Sequence, residues 1–213
     1  MDLHVWLAYL VAAWAIAISP GPGAVLSMSH GMSYGVRRTF ATILGLQAGV
    51  AFILLVAGVG IGAVLLASEK AFLVVKVVGA AYLLWLGVKQ WRAPVQAGLI
   101  DHAGGHGVDL SARQRFARGF FTDATNPKGI VFMVAVLPQF IRPDRSLGLQ
   151  LLILLVTTVV VDVIVMNGYA FLAASLRQWI ASVRAQRVRN RIAGGVLIAL
   201  GASLAFVGRA EPV

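Results

Sequence analysis

Charged side chains inside long apolar stretches are the first candidates for chemistry, because each costs about 2.5–3.5 kcal/mol when left alone at the centre of a bilayer. There are four such residues: Lys76, Asp123, Lys128 and Asp162. Asp162 lies midway along the apolar run 157–165, with no charged neighbour. It is a candidate proton carrier, or the partner of a bound ammonium group. A salt bridge from Asp162 to Lys76 or Lys128 is the structural alternative.

The other three ionisable residues differ in what their sequence neighbours allow. Lys128 follows Asn126-Pro127 and would add positive charge beside an anionic group. Asp123 lies close enough to the predicted membrane interface to be solvated. Lys76 lies about one turn into its apolar run and can extend towards the interface. Asp123 and Lys76 are therefore secondary candidates.

Two proline-containing motifs interrupt apolar runs, Ser19-Pro20-Gly21-Pro22-Gly23 and Thr125-Asn126-Pro127-Lys128. Proline cannot continue a helix, so each motif predicts a break. Ser19 and Asn126 are expected to cap the helices that restart there, with Pro20 and Pro127 at the first helical positions. The amino end of a helix binds anions through free amides and the helix dipole. The predicted binding residues are Ser19, Pro20, Gly21, Pro22, Gly23, Asn126, Pro127 and Lys128.

The composition indicates an integral membrane protein. The 213 residues are 59% apolar and 12% charged, with a mean hydropathy of +0.85, whereas soluble domains are about 25% charged. No Cys is present, which excludes disulfides and thiolate metal sites. The net charge of +10 is attributed to topology signals and anionic lipid headgroups, and nucleic acid is not expected. The first apolar run is interpreted as a retained helix and not as a signal peptide.

Six apolar runs predict six membrane-spanning helices, since strands fail on length and alternation. The runs are His4–Met28, Phe40–Ala67, Phe72–Val88, Phe121–Ile141, Leu147–Leu176 and Ile192–Gly208. Twelve Lys and Arg residues fall in one set of gaps and four in the other. The positive-inside rule places the twelve in the cytoplasm and both termini in the periplasm. Glycines in the second helix offer a face for a homodimer.

Two basic segments lie outside the runs. The segment 92–118 is predicted to be a cytoplasmic linker, and Gly104-Gly105 between His102 and His106 argues against a helical metal site there. The segment 177–191 carries five Arg among apolar residues, which favours a surface helix on anionic lipid.

The two breaks also suggest an internal repeat, because Pro20 and Pro127 occupy corresponding positions in two halves of three runs each. An odd number of spans inverts the second half. The predicted fold is therefore an all-α polytopic membrane protein with six transmembrane helices, a 3+3 inverted repeat and broken helices 1 and 4. It would form one domain over 1–213, with repeats over about 1–91 and 119–213.

These residues together resemble the LysE/RhtB superfamily of bacterial amino-acid exporters, and specifically its RhtB branch. The matching residues are Pro20-Gly21-Pro22, Gly35, Arg37, Gly45, Gly49, Gly79, Tyr82-Leu83, Gly87, Asn126-Pro127-Lys128, Pro138-Gln139-Phe140 and Asp162. The chain departs from many relatives at Thr39, where they have glycine. The resemblance implies export of homoserine-, threonine- or leucine-like amino acids from the cytoplasm across the inner membrane, driven by protons.

The expected mechanism is proton antiport in which the substrate carboxylate docks at the two helix starts and its ammonium competes with a proton for Asp162. No cofactor or metal is expected, and the protein is not expected to be an enzyme, since no nucleophile pairs with a histidine. A metal-ion exporter of the same superfamily is the main alternative. Transition metals prefer thiolate and imidazole ligands. The chain has no Cys, and none of its His residues is expected to be buried, which argues against a metal-ion exporter. A purely structural subunit would leave Asp162 and both breaks without a purpose.

Overall fold

The computed structural model describes residues 1–67, 69–93, 109–142, 144–175 and 183–206. The side chain of Lys76, the linker histidines His102 and His106 and the segment 176–182 lie outside the described part. All regular structure in the described ranges is helical, as predicted. The helices are α1 Leu3–Ile18, α2 Pro22–Ala67, α3 Glu69–Trp91, α4 Ala112–Ala124, α5 Pro127–Val136, α6 Leu147–Ser175 and α7 Val183–Phe206, and a 3-10 turn, Leu137–Phe140, follows α5.

Both predicted breaks are present. The first apolar run is divided between α1 and the start of α2, and the fourth between α4 and α5. Two boundaries were predicted wrongly. Residues 112–118 of the predicted linker are the start of α4, whose first turn is closed by a capping box between Ser111 and Gln114. Residues 183–191 do not form a separate surface helix, because they continue into α7.

The 46 residues of α2 do not form one straight rod, because the chain reverses at Gly35. Gly35 has φ 74° and ψ 166°, a conformation that is essentially restricted to glycine. Nδ1 of His30 lies 2.6 Å from Oγ1 of Thr42, whereas a straight helix would separate these residues by about 18 Å. The segments 22–34 and 36–67 therefore form a helical hairpin. The expectation that no histidine is buried was wrong, because this hairpin leaves His30 only 4% exposed.

The second limb of α2 packs closely against α4 through glycines. A Cβ atom on Gly45 would lie 2.0 Å from the carbonyl oxygen of Phe116, and one on Gly119 would lie 2.2 Å from that of Thr42. A Cβ atom on Gly49 would lie 2.6 Å from the carbonyl oxygen of Phe120. This close backbone contact positions the carboxyl end of α4 beside α2.

Length and hydropathy identify two stretches that could cross a membrane, Pro22–Gly60, which includes the reversal, and Leu147–Ser175. Three shorter apolar stretches are Leu3–Ile18, Pro127–Phe140 and Asn190–Ala202. Helix α6 exposes an apolar stripe at four-residue spacing, made of Leu152, Val156, Val160 and Ile164. A continuous apolar stripe on the outside of a helix is suited to contact with lipid chains. The six-span inverted repeat remains a prediction.

Candidate functional site

The two helix breaks meet at one cavity of about 60 Å³. Seven of the predicted site residues line it: Ser19, Gly21, Gly23, Asp123, Asn126, Lys128 and Asp162. Among the described residues, the three prolines Pro20, Pro22 and Pro127 do not line this cavity. The cavity has room for a few water molecules.

Lys128 connects the second break to the first. Its Nζ donates to the carbonyl oxygen of Ile16 at 3.1 Å and to that of Ser19. These carbonyls belong to the last turn of α1, where a helix has unpaired acceptors and the negative end of its dipole. A Cβ atom on Gly21 would lie 3.2 Å from Nζ, so the glycine leaves the space in which the ammonium group sits.

Asn126 organises the start of α5, as predicted. Its side-chain oxygen accepts from the backbone N–H of Lys128 at 3.1 Å, with Pro127 in the first turn. Its Nδ2 donates to Oδ1 of Asp123, also at 3.1 Å. One side chain therefore caps α5 and orients the carboxylate at the end of α4.

Asp123 is buried and not solvated, which corrects the expectation from the sequence. It is 6% exposed, because α4 packs with its carboxyl end against the glycines of α2. A Cβ atom on Gly23 would lie 3.0 Å from Oδ1 of Asp123, and one on Gly49 would lie 3.1 Å from its Cβ. The carboxylate thus lies against the first turn of α2.

Ser19 does not cap the second helix, so that prediction was wrong. Ser19 is the C-cap of α1, with ψ 111°, and the next helix begins at Pro22. A residue before proline is driven out of the helical region, which applies to Ser19 before Pro20 and to Gly21 before Pro22. Ser19 is 1% exposed, and within the described residues its hydroxyl has no hydrogen-bond partner.

Asp162 of α6 is paired with Gln47 of α2. Nε2 of Gln47 donates to Oδ2 of Asp162 at 2.6 Å, and Asp162 is 9% exposed. Asn167, also on α6, donates instead to the carbonyl of Val163 within its own helix. The ion pairs between described residues do not join Asp162 to Lys128. The alternative salt bridge from Asp162 to Lys76 lies outside the described residues.

Sequence reasoning missed the polar contact between α1 and α6. The hydroxyl oxygens of Tyr9 and Thr158 lie 2.5 Å apart, and Thr158 lines the cavity. The indole N–H of Trp6 donates to Thr157 at 3.0 Å. The position of Thr158 could have indicated that it faces the site, because Thr158 lies four residues before Asp162 and hence on the same face of the helix.

The chain is similar over nearly its whole length to several bacterial membrane proteins. The chain resembles a membrane protein of Vibrio cholerae, with 44% identity over 207 residues, 96% of this chain and 98% of that protein. The homoserine/homoserine lactone efflux protein of Salmonella typhimurium is 42% identical over 206 residues, 96% and 98% of the two chains. The leucine efflux protein of an Enterobacter species is 28% identical over 205 residues, 95% of each chain. No solved structure gives a significant match.

The family model of the LysE type translocators matches residues 14–208, which include both breaks, the cavity and Asp162. The match covers nearly the whole chain, and the similarity to the relatives extends over the same length. The resemblance inferred from the sequence motifs is confirmed: this protein belongs to the LysE type translocator family.

Proposed function

We propose that the protein exports neutral or hydrophobic amino acids of the homoserine, threonine or leucine type from the bacterial cytoplasm by proton antiport. The observation that carries this proposal is the convergence of Asp123, Lys128 and Asp162 on one cavity between two broken helices. Secondary transporters with discontinuous helices bind charged substrates at such breaks. The efflux names of two relatives support an amino-acid cargo.

In the proposed site the substrate carboxylate docks at the first turns of α2 and α5. Gly23 and Gly129 line the cavity there, and free amides at a helix start favour an anion. The cavity of about 60 Å³ must widen to admit an amino acid.

Asp162 is the proposed coupling residue. It shares the cavity with both breaks, and a carboxylate cannot hold a proton and an ammonium group at the same position. Arrival of the substrate ammonium therefore releases the proton, and reprotonation on the other side of the membrane releases the substrate. Exchange of one for the other is the physical basis of antiport.

The proposed setting is the bacterial inner membrane, with six spans, an inverted repeat and both termini in the periplasm. Matching breaks between α1 and α2 and between α4 and α5 support the repeat. The uneven distribution of Lys and Arg supports the orientation.

Uptake into inverted membrane vesicles tests the function. Vesicles with the protein should accumulate at least one labelled amino acid from a panel containing homoserine, threonine and leucine, and a protonophore should prevent accumulation. Vesicles without the protein provide the control. Transport of no amino acid would defeat the proposal, and protonophore-insensitive accumulation would defeat the antiport mechanism.

A further inference from the structure

The carbonyl end of α1 is a cation site, and Lys128 occupies it. Nζ of Lys128 donates to the carbonyl oxygens of Ile16 and Ser19. The carbonyl of Ile18, between them, accepts from the hydroxyl of Tyr169 at 2.6 Å. Without such donors the end of α1 would leave unpaired acceptors at membrane depth, at a cost of several kcal/mol each.

The ammonium group of an amino acid has the same chemistry as that of lysine. Both carry three N–H donors and a full positive charge, and both suit the negative end of a helix dipole. A substrate ammonium on the carbonyls of Ile16 and Ser19 would keep one donor for the carboxylate of Asp162, which lines the same cavity.

We propose that Lys128 is an internal stand-in for the substrate ammonium group, holding the carbonyls of Ile16 and Ser19 in the empty carrier and giving them up when the substrate binds. This inference rests on the proposed amino-acid export. In the empty carrier the Lys128 side chain holds the two carbonyls, and in the loaded carrier the helix starts hold the substrate carboxylate.

A second observation at the same place points to a ligand. The hydroxyl of Ser19 is unpartnered among the described residues, the residue is 1% exposed, and it lines the cavity. A buried hydroxyl without a partner costs free energy unless a bound group satisfies it. Lys128 also lines the cavity, so its withdrawal enlarges the space that the substrate enters.

The stand-in has a consequence for the transport cycle. After substrate release, the empty carrier must return through a closed state, and it can do so only if the end of α1 is satisfied. Lys128 satisfies the end of α1 during this return step. In exchange of one amino acid for another, the carrier crosses only with an amino acid bound and does not need Lys128. A Lys128→Met variant should therefore lose more of its net export than of its exchange of one amino acid for another.

Purified protein in vesicles loaded with labelled homoserine or leucine tests this. Net efflux is measured into buffer without amino acid, and exchange into buffer with the unlabelled amino acid. For Lys128→Met we expect net efflux to fall by about tenfold or more, which corresponds to the loss of a hydrogen bond from a charged donor. Exchange should fall by less than net efflux. Addition of methylammonium should restore net efflux in part, because a small free cation can occupy the vacated carbonyls.

A second variant, which leaves the charge of Lys128 in place, tests the proposal even if Lys128→Met does not fold. Gly21→Ala puts a methyl group 3.2 Å from Nζ, so the ammonium group must move by a few tenths of an ångström against the carbonyls, and net efflux should fall by less than in Lys128→Met. Gly168→Ala is its control, because no atom lies within 4 Å of the added methyl.

The outcomes separate the two proposals. If wild-type vesicles show neither efflux nor exchange for any amino acid, the proposed function fails. If the wild type transports but Lys128→Met and Gly21→Ala lose efflux and exchange equally, Lys128 binds substrate and the stand-in is wrong. Unchanged net efflux in both variants would also overturn the stand-in.

Discussion

The side-chain amide of Gln47 donates a hydrogen bond of 2.6 Å to the carboxylate of Asp162 and so joins α2 to α6. The other end of that amide, Oε1, is buried and has no partner among the described residues. The bond gives Asp162 a fixed position facing the cavity at the two breaks. The carboxylate proposed to couple transport is therefore held by a residue from the other half of the chain.

Asp162→Asn should abolish proton-driven export and leave the protein folded. Asparagine has nearly the same shape and can still accept the bond from Gln47, but it cannot take up or release a proton. Uptake into inverted vesicles with and without a protonophore measures the effect, and the thermal unfolding midpoint in detergent controls for folding. Full proton-driven export by the variant would remove Asp162 from the coupling mechanism.

Gln47→Leu should destabilise the protein by about 1–3 kcal/mol, because it leaves a buried carboxylate without its donor. The matched control is Asn167→Leu, since among the described residues Asn167 donates to the carbonyl of Val163 in its own helix, at 2.8 Å, and is half-buried. Unfolding midpoints of both variants in detergent should show the larger loss for Gln47→Leu. Equal midpoints would mean that the contact with Asp162 contributes nothing to stability.

Gly45→Ala should destabilise the packing of α2 against α4 by at least about 1–3 kcal/mol, the usual effect of overpacking. The added methyl would lie 2.0 Å from the carbonyl oxygen of Phe116, and backbone cannot move aside as a flexible side chain can. Gly60→Ala in the same helix meets no atom within 4 Å and should be neutral or slightly stabilising. A comparison of unfolding midpoints checks this, and an unaffected Gly45→Ala would contradict the close approach.

Asp2 should contribute to stability at neutral pH and not in acid. Burial raises the pKa of Asp2. The hydrogen bond from Arg142 and the charges of Arg145, Arg142 and His4 together lower it by more than burial raises it, so the pKa lies below its ordinary value. A carboxyl group with a lowered folded-state pKa stabilises above the unfolded value of about 3.9 and ceases to stabilise as pH falls through the folded value.

The measurement is the unfolding midpoint of wild type and Asp2→Asn as a function of pH. The difference should be present near neutral pH and should disappear in strong acid, and it should be small because the arginines are partly exposed. The control is Asp109→Asn, since the Arg38–Asp109 pair is 3.5 Å long and its side chains are 61% and 74% exposed. A pH-independent difference for Asp2→Asn would contradict the ionic origin.

Local patterns in the sequence were sufficient for the helices and for the second break. Asn126 and Pro127 carry all the information for a capped helix start, because the cap and the proline act within one turn. The first break was predicted at the right place, but its cap was not. Two closely spaced prolines delay the restart to Pro22, and this follows from a restriction on the residues that precede them.

The orientation of side chains around the cavity could not be predicted in the same way. Asp123 was expected in solvent and is buried, because glycines of α2 allow α4 to approach at backbone distance. Lys128 was expected to face an anion and instead donates to the carbonyls of Ile16 and Ser19, which lie more than a hundred residues earlier in the chain. Each outcome depends on how two helices rotate against each other.

The sequence alone determined that this chain is helical, suited to a membrane, broken at two prolines and related to the LysE type translocators. These properties depend on hydrophobicity, on the missing N–H of proline and on motifs that are short in sequence. Only the tertiary structure decided that both breaks share one cavity, that Gln47 holds Asp162, and that Lys128 fills the carbonyl end of α1. Contacts of this kind join residues from different halves of the chain, and close packing of helices through glycine brings them together.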